Sequence, residues 1–276
     1  MKVCINCSWA GQVRRQTAED TMLLNLDDGS ADFIVDFSLF SPVASKYPPE
    51  KRAFATGEPS AFMNYNDGLI AQIGQFYRGA LLTWHPQLAR FPQTIRWPFG
   101  TTWVTWDSSP ATKKFGIGGM FSAKSDPRMH GYQIRRKIEA LQNSISLPGT
   151  VFNPTGRWKE QTFGARQPSK VPSLEWMFHF AVENCAEAGY FTEKIMDCFM
   201  TYSAPVYYGD PEISKFFDMG GIIVLDENHI AEQVNALTPE KYQAMLPYVI
   251  KNEQKARSLQ DVFGNIMVAL KKRTFP

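Results

Sequence analysis

Residues 176–209, WMFHFAVENCAEAGYFTEKIMDCFMTYSAPVYYG, contain the clearest secondary-structure pattern of the chain. They contain a short apolar run, Met177–Val182, with the length and composition of a buried strand. A polar loop, Glu183–Tyr190, follows, and Thr192 can cap the next helix. The apolar residues of that helix recur at the spacing i, i+3, i+4 and i+7, as Ile195, Cys198, Phe199 and Tyr202. Ala204–Tyr208 is a second strand, so the stretch predicts a strand–helix–strand unit with parallel strands.

The rest of the C-terminal half continues this alternation. Gly209-Asp210-Pro211 turns the chain, with Asp210 as a cap and Pro211 at a first helical position, and Ile222–Leu225 is a third strand. Thr238-Pro239-Glu240 opens another helix, and a last amphipathic helix covers about Ser258–Lys272. Alternating strands and helices predict a parallel sheet covered by helices. Because such sheets bind ligands at the carboxyl ends of their strands, we expect Glu183–Phe191 to be a binding loop.

The N-terminal half predicts a second α/β domain. Its expected elements are strands at Lys2–Ser8, Phe33–Phe37, Arg52–Thr56 and Leu81–Trp84, and helices at Gly68–Tyr77 and about Tyr132–Asn143. The segment TWDSSPAT, residues 105–112, is rich in Ser, Thr and Pro, so we place the boundary there, with domains at 1–108 and 109–276. Residues 148–172 have the composition of a long loop.

Composition excludes several classes of protein. The 276 residues include 29 basic and 27 acidic ones, a net charge of +2 that is too balanced for a general nucleic-acid binder. The apolar runs are far shorter than the ~20 residues of a membrane helix, and no signal peptide is visible, so we expect a soluble cytoplasmic protein. Cys4 and Cys7 lie on the first predicted strand and point to opposite faces, which disfavours a zinc or redox site.

The loop and helix start at residues 183–194 combine features of a nucleotide site. The exposed N–H groups of a helix start attract phosphate, and Lys194 adds a positive charge suited to a diphosphate. Glu193 repels anions, but a carboxylate can accept hydrogen bonds from ribose hydroxyls. The same residues also fit a capped helix with charged first turns and no ligand.

The order of these residues resembles the signature of glycosyltransferase family 10, the α-1,3/1,4-fucosyltransferases, whose short soluble members occur in bacteria and viruses. That signature is F-x-x-x-F-E-N, then Y-x-T-E-K, then P-V/I-x-x-G. This chain has Phe178-His179-Phe180-Ala181-Val182-Glu183-Asn184, then Tyr190-Phe191-Thr192-Glu193-Lys194, then Pro205-Val206-Tyr207-Tyr208-Gly209. The one departure is Val182, where the family often has Phe, and it keeps the position apolar.

Two further segments carry the resemblance. Gly131-Tyr132-Gln133-Ile134-Arg135-Arg136-Lys137-Ile138 resembles a family segment whose arginine faces the donor diphosphate. The alignment favours Arg135 over Arg136, although a solvated basic helix face would have the same composition. Phe54-Ala55-Thr56-Gly57-Glu58 resembles the F-x-T-G-E element of bacterial members, whose glutamate is the proposed general base. A lone glutamate after a strand is also a common turn residue.

The resemblance implies the arrangement called GT-B, two Rossmann-like α/β domains that face a cleft. The expected reaction is transfer of fucose from GDP-fucose to an acceptor glycan hydroxyl, with inversion at the anomeric carbon. Glu58 is the expected base, whereas Arg135, Lys194 and the helix amides near Thr192 are expected to stabilise the departing diphosphate. Asn184 and Tyr190 are expected to bind phosphate, and Glu193 to bind ribose. We expect neither a metal ion nor a cofactor.

Two alternatives stay open. One is a related transferase that uses GDP-mannose or a UDP-sugar, because none of these residues reads the base or the sugar directly. The other is a non-catalytic protein that binds glycans or nucleotides on the same scaffold. Asp27-Asp28 with Asp32 suggests the Asp-x-Asp metal site of another transferase fold, but Asp27-Asp28-Gly29-Ser30 fits a turn better. The four histidines have no metal-ligand spacing, and we expect His179 to be a core residue of its strand.

Overall fold

The computed structural model describes residues 1–8, 10–104, 109–122, 124–152 and 170–274. The chain divides into two α/β units, one with Met1–Phe99 and Asp261–Pro276 and the other with Gly100–Gln260. Half of the expected boundary segment, residues 105–108, lies outside the described residues, as does most of the expected long loop, residues 153–169.

The first unit is built on one seven-stranded sheet. Its strands are β1 (Lys2–Cys7), β2 (Val13–Gln16), β3 (Thr21–Leu24), β4 (Phe33–Phe37), β5 (Arg52–Ala55), β6 (Ala80–Thr83) and β7 (Thr94–Arg96). They lie in the order β2-β3-β1-β4-β5-β6-β7, and neighbours are parallel except for β2 and β3. Its helices are α1 (Ser60–Met63), α2 (Asp67–Phe76) and α7 (Val262–Thr274).

The four strands that the sequence predicted in this unit, β1, β4, β5 and β6, are confirmed. They are buried along nearly their whole length, because a parallel strand covered on both faces needs a continuous apolar run. The three strands that the sequence analysis missed lie toward the edges of the sheet. The edge strand β2 has the sequence VRRQ and is exposed throughout, so it carries no hydrophobic pattern to detect.

The second unit has a five-stranded parallel sheet. Its strands are β8 (Lys114–Met120), β9 (Gly149–Phe152), β10 (Trp176–Val182), β11 (Ala204–Tyr208) and β12 (Ile223–Val224). They lie in the order β12-β11-β10-β8-β9. Its helices are α3 (His130–Ala140), α4 (Glu193–Met200), α5 (Ile230–Asn235) and α6 (Pro239–Leu259). The unit that the sequence predicted at residues 176–209, β10-α4-β11, is confirmed, with parallel pairing between Phe178 and Ala204.

Strand β8 lies inside this sheet, between β10 and β9, yet its sequence, KFGIGGM, has the composition of a loop. Two of its three glycines are required by close backbone neighbours. A Cβ atom on Gly116 would lie 1.9 Å from the carbonyl oxygen of Pro148, and one on Gly118 would lie 1.8 Å from that of Ser173. Gly116 also has a φ of +149°, which side chains rarely adopt. Contacts distant in sequence therefore determine this strand.

The C-terminal helix α7 groups with the first unit, whereas the sequence analysis placed it in the second domain, 109–276. The phenyl rings of Phe263 and Phe37 lie 6.2 Å apart, and Ile266 and Leu270 are fully buried. Lys271 pairs with Asp20 at 2.6 Å. The apolar face of α7 is therefore covered by the first sheet and its loops. The helix also begins at Val262, after a break that follows α6, and not near Ser258.

Several smaller expectations are resolved by the structure. The Gly209–Pro211 turn leads into a 3₁₀ turn, Ile213–Lys215, and not into an α-helix. The Asp27–Ser30 segment is a turn, in which the side chains of Asp27 and Asp28 accept hydrogen bonds from Gly29 and Ser30. His179 is a core residue, since it is buried and its Nδ1 bonds the carbonyl of Ser173.

Cys4 and Cys7 are both buried in β1 and form no disulfide. Burial, with Asp27 nearby, raises the pKa of the Cys4 thiol to about 12, so it is not a thiolate at neutral pH. Within the described residues no group of three His, Cys, Asp or Glu side chains is placed to hold a metal ion. Over the same residues, no helix combines the length and the apolar character needed to span a membrane.

Candidate functional site

The candidate site lies where β10 ends and α4 begins. Thr192 caps α4, because its hydroxyl accepts from the Lys194 amide at 3.4 Å. Glu183, the first residue after β10, is fully buried and accepts from both the amide and the hydroxyl of Thr192, each at 2.8 Å. These bonds tie the two ends of the 183–192 loop together and fix the helix start beside the end of the strand.

Lys194 is surrounded by oxygen atoms at this junction. Its Nζ lies 3.0 Å from the Thr192 hydroxyl, 3.1 Å from Glu193 Oε1 and 3.4 Å from Glu183 Oε2. Burial opposes its charge, but the carboxylates of Glu193 and Glu183 outweigh burial and raise the pKa of Lys194 above its ordinary value. The side chain is therefore a cation at neutral pH, and 22% of its surface is exposed to solvent.

Arg135 reaches the same place from helix α3. Its Nε and Nη2 donate to the carbonyl of Val182, and Nη2 also donates to Asn184 Oδ1 at 2.9 Å. The side chain is buried, with 3% exposure. Because a guanidinium keeps its proton even when buried, Arg135 places a second fixed positive charge at the end of β10.

The start of α3 is held against β10 by Gly131. The Gly131 amide donates to the carbonyl of Asn184 at 2.9 Å, and a Cβ atom at this position would lie 1.8 Å from the carbonyl oxygen of Glu183. Only glycine permits this approach. The contact sets the position of Arg135, which follows just over one helical turn later.

The two glutamates of the site differ in character. At Glu193, burial raises the pKa but Lys194 and Lys170 outweigh it, so the pKa lies below its usual range and the group is a carboxylate. At Glu183, burial outweighs Lys194 and the two Thr192 hydrogen bonds, and the pKa is raised. Tyr190 is buried in the same loop, with 1% exposure, and interacts electrostatically with Arg135.

The structure thus brings together six of the seven residues that the sequence analysis singled out: Arg135, Asn184, Tyr190, Thr192, Glu193 and Lys194. Arg136 does not join them, since it bonds the side chain of Glu139 and the carbonyl of Ser122. No role was predicted for Glu183 or Gly131.

Glu183 directly follows a predicted strand and lies nine residues before the predicted helix cap, Thr192. This spacing is the signal from which a bond between Glu183 and the helix start could have been predicted.

Glu58, the expected base, lies in the other unit. It follows β5 after Thr56 and Gly57, at the carboxyl end of the first sheet, and is half-buried. The Gly57 amide donates to Ser38 Oγ at 2.6 Å, and a Cβ atom on Gly57 would lie 2.5 Å from the ring of Phe37. The turn that presents Glu58 therefore requires glycine and is anchored to the loop after β4.

Comparison with known proteins identifies similar structures and one local sequence match. Three crystal structures of α1,3-fucosyltransferase, the second with GDP and the third with GDP-fucose, align with TM-scores of 0.53, 0.52 and 0.51. Each alignment covers 98% of this chain and 90% of the other, at 15%, 16% and 14% sequence identity. No protein-family model matches the chain.

The sequence match is to the α-(1,3)-fucosyltransferase FucT of Helicobacter pylori, with 36% identity over 44 residues. It spans 16% of this chain and only 9% of that relative. At this level of identity the structural likeness establishes the fold alone. The predicted fold class, two Rossmann-like α/β units of the GT-B type, is confirmed by it.

Proposed function

We propose that this protein is an inverting glycosyltransferase that transfers fucose from GDP-fucose to a hydroxyl of an acceptor glycan. The observation that carries the proposal is the meeting of Arg135, Asn184 and Lys194 at one capped helix start. Two cations, an amide side chain and the N–H groups of α4 form a set of groups suited to a diphosphate.

The topology of the second sheet supports a ligand at this position. From β8 the chain passes through α3 to β9 on one side, whereas β10, on the other side of β8, leads through α4 to β11. The strand order therefore reverses between β8 and β10. In open α/β sheets, ligands bind outside the carboxyl ends of the strands at such a switch point. Glu183 and Asn184 follow β10 at that end of the sheet.

The contacts of the two cations leave room for an anion. Arg135 uses Nε and Nη2 for its hydrogen bonds, and Nη1 has no hydrogen-bond partner among the residues that the structure describes. Lys194 retains part of its exposure and can turn its ammonium from Glu193 toward a ligand. We propose that these two groups bind the diphosphate and stabilise the negative charge that grows on it as the bond to the sugar breaks. We propose that they do so without a metal ion or a cofactor.

The choice of fucose and of GDP as the donor rests on the motifs at residues 54–58, 131–138 and 178–209 and on likeness to a structure described as an α1,3-fucosyltransferase with GDP-fucose. In this proposal Asn184 and Tyr190 contribute hydrogen bonds to phosphate, and Glu193 accepts hydrogen bonds from the ribose hydroxyls. Glu58 removes the proton from the acceptor hydroxyl as that oxygen attacks the anomeric carbon.

A panel of nucleotides and nucleotide sugars tests the proposal. Binding of GDP, GDP-fucose, GDP-mannose, UDP and UDP-glucose is measured by thermal shift without added metal. A ligand at 100 times its dissociation constant stabilises the fold by ~2.7 kcal/mol, which is a measurable change in Tm. We expect GDP and GDP-fucose to stabilise the protein. A response to UDP ligands alone would indicate a UDP-sugar donor in place of GDP-fucose. No response to any of these ligands would contradict the proposal.

Transfer itself is tested with GDP-fucose and an array of glycans. We expect Glu58→Gln to lower kcat by roughly 10²–10⁴-fold, because the attacking hydroxyl loses its base, while affinity for GDP stays unchanged. Binding of GDP-fucose without transfer to any glycan would instead support the non-catalytic alternative.

A further inference from the structure

The buried carboxylate of Glu183 has no role in the proposed reaction, although it lies at the centre of the site. It is fully buried in the second unit, and all of its described polar contacts belong to the junction between β10 and α4. Isolated buried carboxylates are costly, and they persist where hydrogen bonds and charges compensate them. Here the compensating groups, Thr192 and Lys194, are the groups expected to receive the donor.

We propose that Glu183 is the positioning residue of the diphosphate site, and that it takes up one proton from solvent when the diphosphate binds. The inference rests on the proposed function, since it assumes that a nucleoside diphosphate group occupies this site.

The positioning role follows from the hydrogen bonds. Glu183 accepts from the amide and the hydroxyl of Thr192, and the same hydroxyl accepts from Lys194 Nζ at 3.0 Å. Removing the carboxylate releases the cap residue and the lysine together. The two hydrogen bonds from Thr192 to the Glu183 carboxylate thus form a clamp between β10 and α4. Its β10 end is fixed because the Glu183 side chain packs against the turn after β11, where a Cβ atom on Gly209 would lie 2.7 Å from Glu183 Cγ.

The proton uptake follows from the charges that face Glu183. Helix α4 contributes Lys194, Glu193 and the buried Cys198, helix α3 contributes Arg135, and strand β11 contributes Tyr207. The loop residues Tyr190 and Cys185 face two of these groups, Arg135 and Tyr207. Of these, Arg135 and Lys194 are positive and Glu193 is negative, so with an ionised Glu183 the two positive and two negative charges sum to zero. The diphosphate of a nucleotide sugar then adds two negative charges next to a buried carboxylate.

Of the two carboxylates, Glu183 is the one that becomes protonated when this negative charge is added. Its pKa is already raised by burial, whereas the pKa of Glu193 is lowered by Lys194. A ligand that draws Lys194 away from Glu183 raises the Glu183 pKa further, because the carboxylate loses its nearest cation and gains anionic neighbours. Protonation turns the charge sum of the four groups from zero to +1, which favours the bound anion.

The clamp survives this protonation. The neutral acid still accepts from the Thr192 amide with its carbonyl oxygen. Its new O–H donates to the Thr192 hydroxyl, which can either donate or accept. A glutamine at this position reproduces the same pattern, with its carbonyl oxygen as the acceptor and its amide N–H as the donor. Glu183→Gln is therefore a stable mimic of the protonated state.

The pH dependence has a definite sign. Below the free-state pKa of Glu183 the residue is already neutral, and affinity does not depend on this group. Between the free-state and the bound-state pKa, binding requires a proton, so affinity falls by up to tenfold per unit of rising pH. Above the bound-state pKa the dependence ends. Loss of the clamp in Glu183→Ala, in contrast, weakens binding at every pH, by roughly tenfold or more.

The experiment is isothermal titration calorimetry with GDP-fucose and, separately, UDP-glucose, each without acceptor. Both ligands are diphosphate diesters that do not titrate between roughly pH 5 and 8. Titrations in two buffers of different ionisation enthalpy measure the protons taken up. The variants are Glu183→Gln, Glu183→Ala and a matched control, Glu175→Gln, which removes one carboxylate that pairs with Lys114 at the other end of β10.

We expect proton uptake in the wild type and in Glu175→Gln. We expect none in Glu183→Gln, whose affinity should not fall as the pH rises. Equal proton uptake in Glu183→Gln, or none in the wild type, would overturn the protonation. Wild-type affinity in Glu183→Ala would overturn the positioning role and leave the donor proposal intact. Binding of UDP-glucose but not GDP-fucose would contradict the proposal that GDP-fucose is the donor. The Glu183 variants would then be compared with UDP-glucose, so the role of Glu183 would still be tested. Binding of neither ligand would overturn both proposals.

Discussion

At the scale of single residues, the two neighbouring arginines of α3 make the sharpest contrast. Arg135 and Arg136 are adjacent in sequence, yet one is buried against Val182 and Asn184 and the other bonds Glu139 and Ser122. A helix separates successive side chains by about 100°, so only one of the two can face β10. The sequence could not choose between them on composition.

Replacing each arginine by alanine tests the assignment. We expect Arg135→Ala to weaken GDP binding by about ten- to a hundredfold, because a charge-assisted hydrogen bond contributes ~1.5–3 kcal/mol. Arg136→Ala is the matched control and should change affinity by less than about threefold, since its side chain bonds Glu139 and Ser122 and not the residues at the end of β10. Calorimetry measures both, and circular dichroism verifies that each variant is folded. Equal losses in the two variants would contradict the assignment.

A second residue-scale feature is a buried lysine at the opposite end of the second sheet. Lys113 directly precedes β8, and its ammonium donates to the carbonyl of Leu174 and to Ser203 Oγ, the latter at 2.9 Å. Burial lowers the pKa of Lys113 to about 7, against the weaker opposing effects of Cys198 and Glu175. The unfolded chain binds this proton up to a pH near 10. Protonation therefore disfavours the folded state as the pH falls from about 10 to about 7.

We expect Lys113→Met to remove this contribution. The wild type should gain stability relative to the variant as the pH rises from 7 to 9, on the order of 1–3 kcal/mol. At pH 7 the variant should be the more stable protein, because Ser203 keeps its hydrogen bond to Trp176 and loses only the lysine. Urea unfolding at both pH values measures the difference. A constant difference between the two proteins would contradict the shifted pKa.

At the scale of elements, the approach of α3 to β10 depends on one missing side chain. Gly131→Ala places a Cβ atom 1.8 Å from the Glu183 carbonyl, so the helix start must move away from the strand. We expect a loss of about 2–3 kcal/mol in the free energy of unfolding and weaker GDP binding, because Arg135 moves with the helix.

The matched control is Gly68→Ala on α2, where the nearest atom to the added Cβ is 3.4 Å away. This change should be neutral or stabilise the protein by roughly 0.5–1 kcal/mol, since alanine favours the helix. Denaturant unfolding of both variants measures the contrast. Similar stability of the two variants would show that α3 does not require the close approach.

The elements that the sequence analysis recovered are those with local signals. The strand–helix–strand unit has a continuous apolar run, a threonine cap and helical spacing within residues 176–208, and it is confirmed. Strand β8 has none of these signals, because three of its seven residues are glycines, and two of them, Gly116 and Gly118, are required by the carbonyl groups of Pro148 and Ser173. These carbonyl groups are distant in sequence from the glycines, which is why no strand was predicted at this position.

At the scale of the whole molecule, the C-terminal helix belongs to the first unit although the second unit precedes it in the chain. Ile266 is fully buried on its inner face, and Val268 on its outer face is 52% exposed. We expect Ile266→Ala to destabilise the first unit by about 2–5 kcal/mol, and Val268→Ala to have little effect.

Hydrogen exchange read by mass spectrometry locates the change. Amides of β4, β5 and β6 should exchange faster in Ile266→Ala, whereas β10 and β11 in the second unit should retain their protection. An equal increase in both units would contradict the assignment of α7 to the first unit alone.

Three features could be predicted from the amino-acid sequence: the α/β class, the parallel order of β10 and β11, and the cluster of polar residues at the end of β10. These follow from hydrophobic period, caps and strand direction, all of which act within about thirty neighbouring residues. Other features appear only in the folded chain: the burial of Glu183, the bonds of Arg135 to Val182 and Asn184, the strand at β8 and the place of α7. Each of these depends on contacts between residues far apart in sequence, such as the 47 positions that separate Arg135 from Val182. Packing selects such contacts, and no local pattern encodes them.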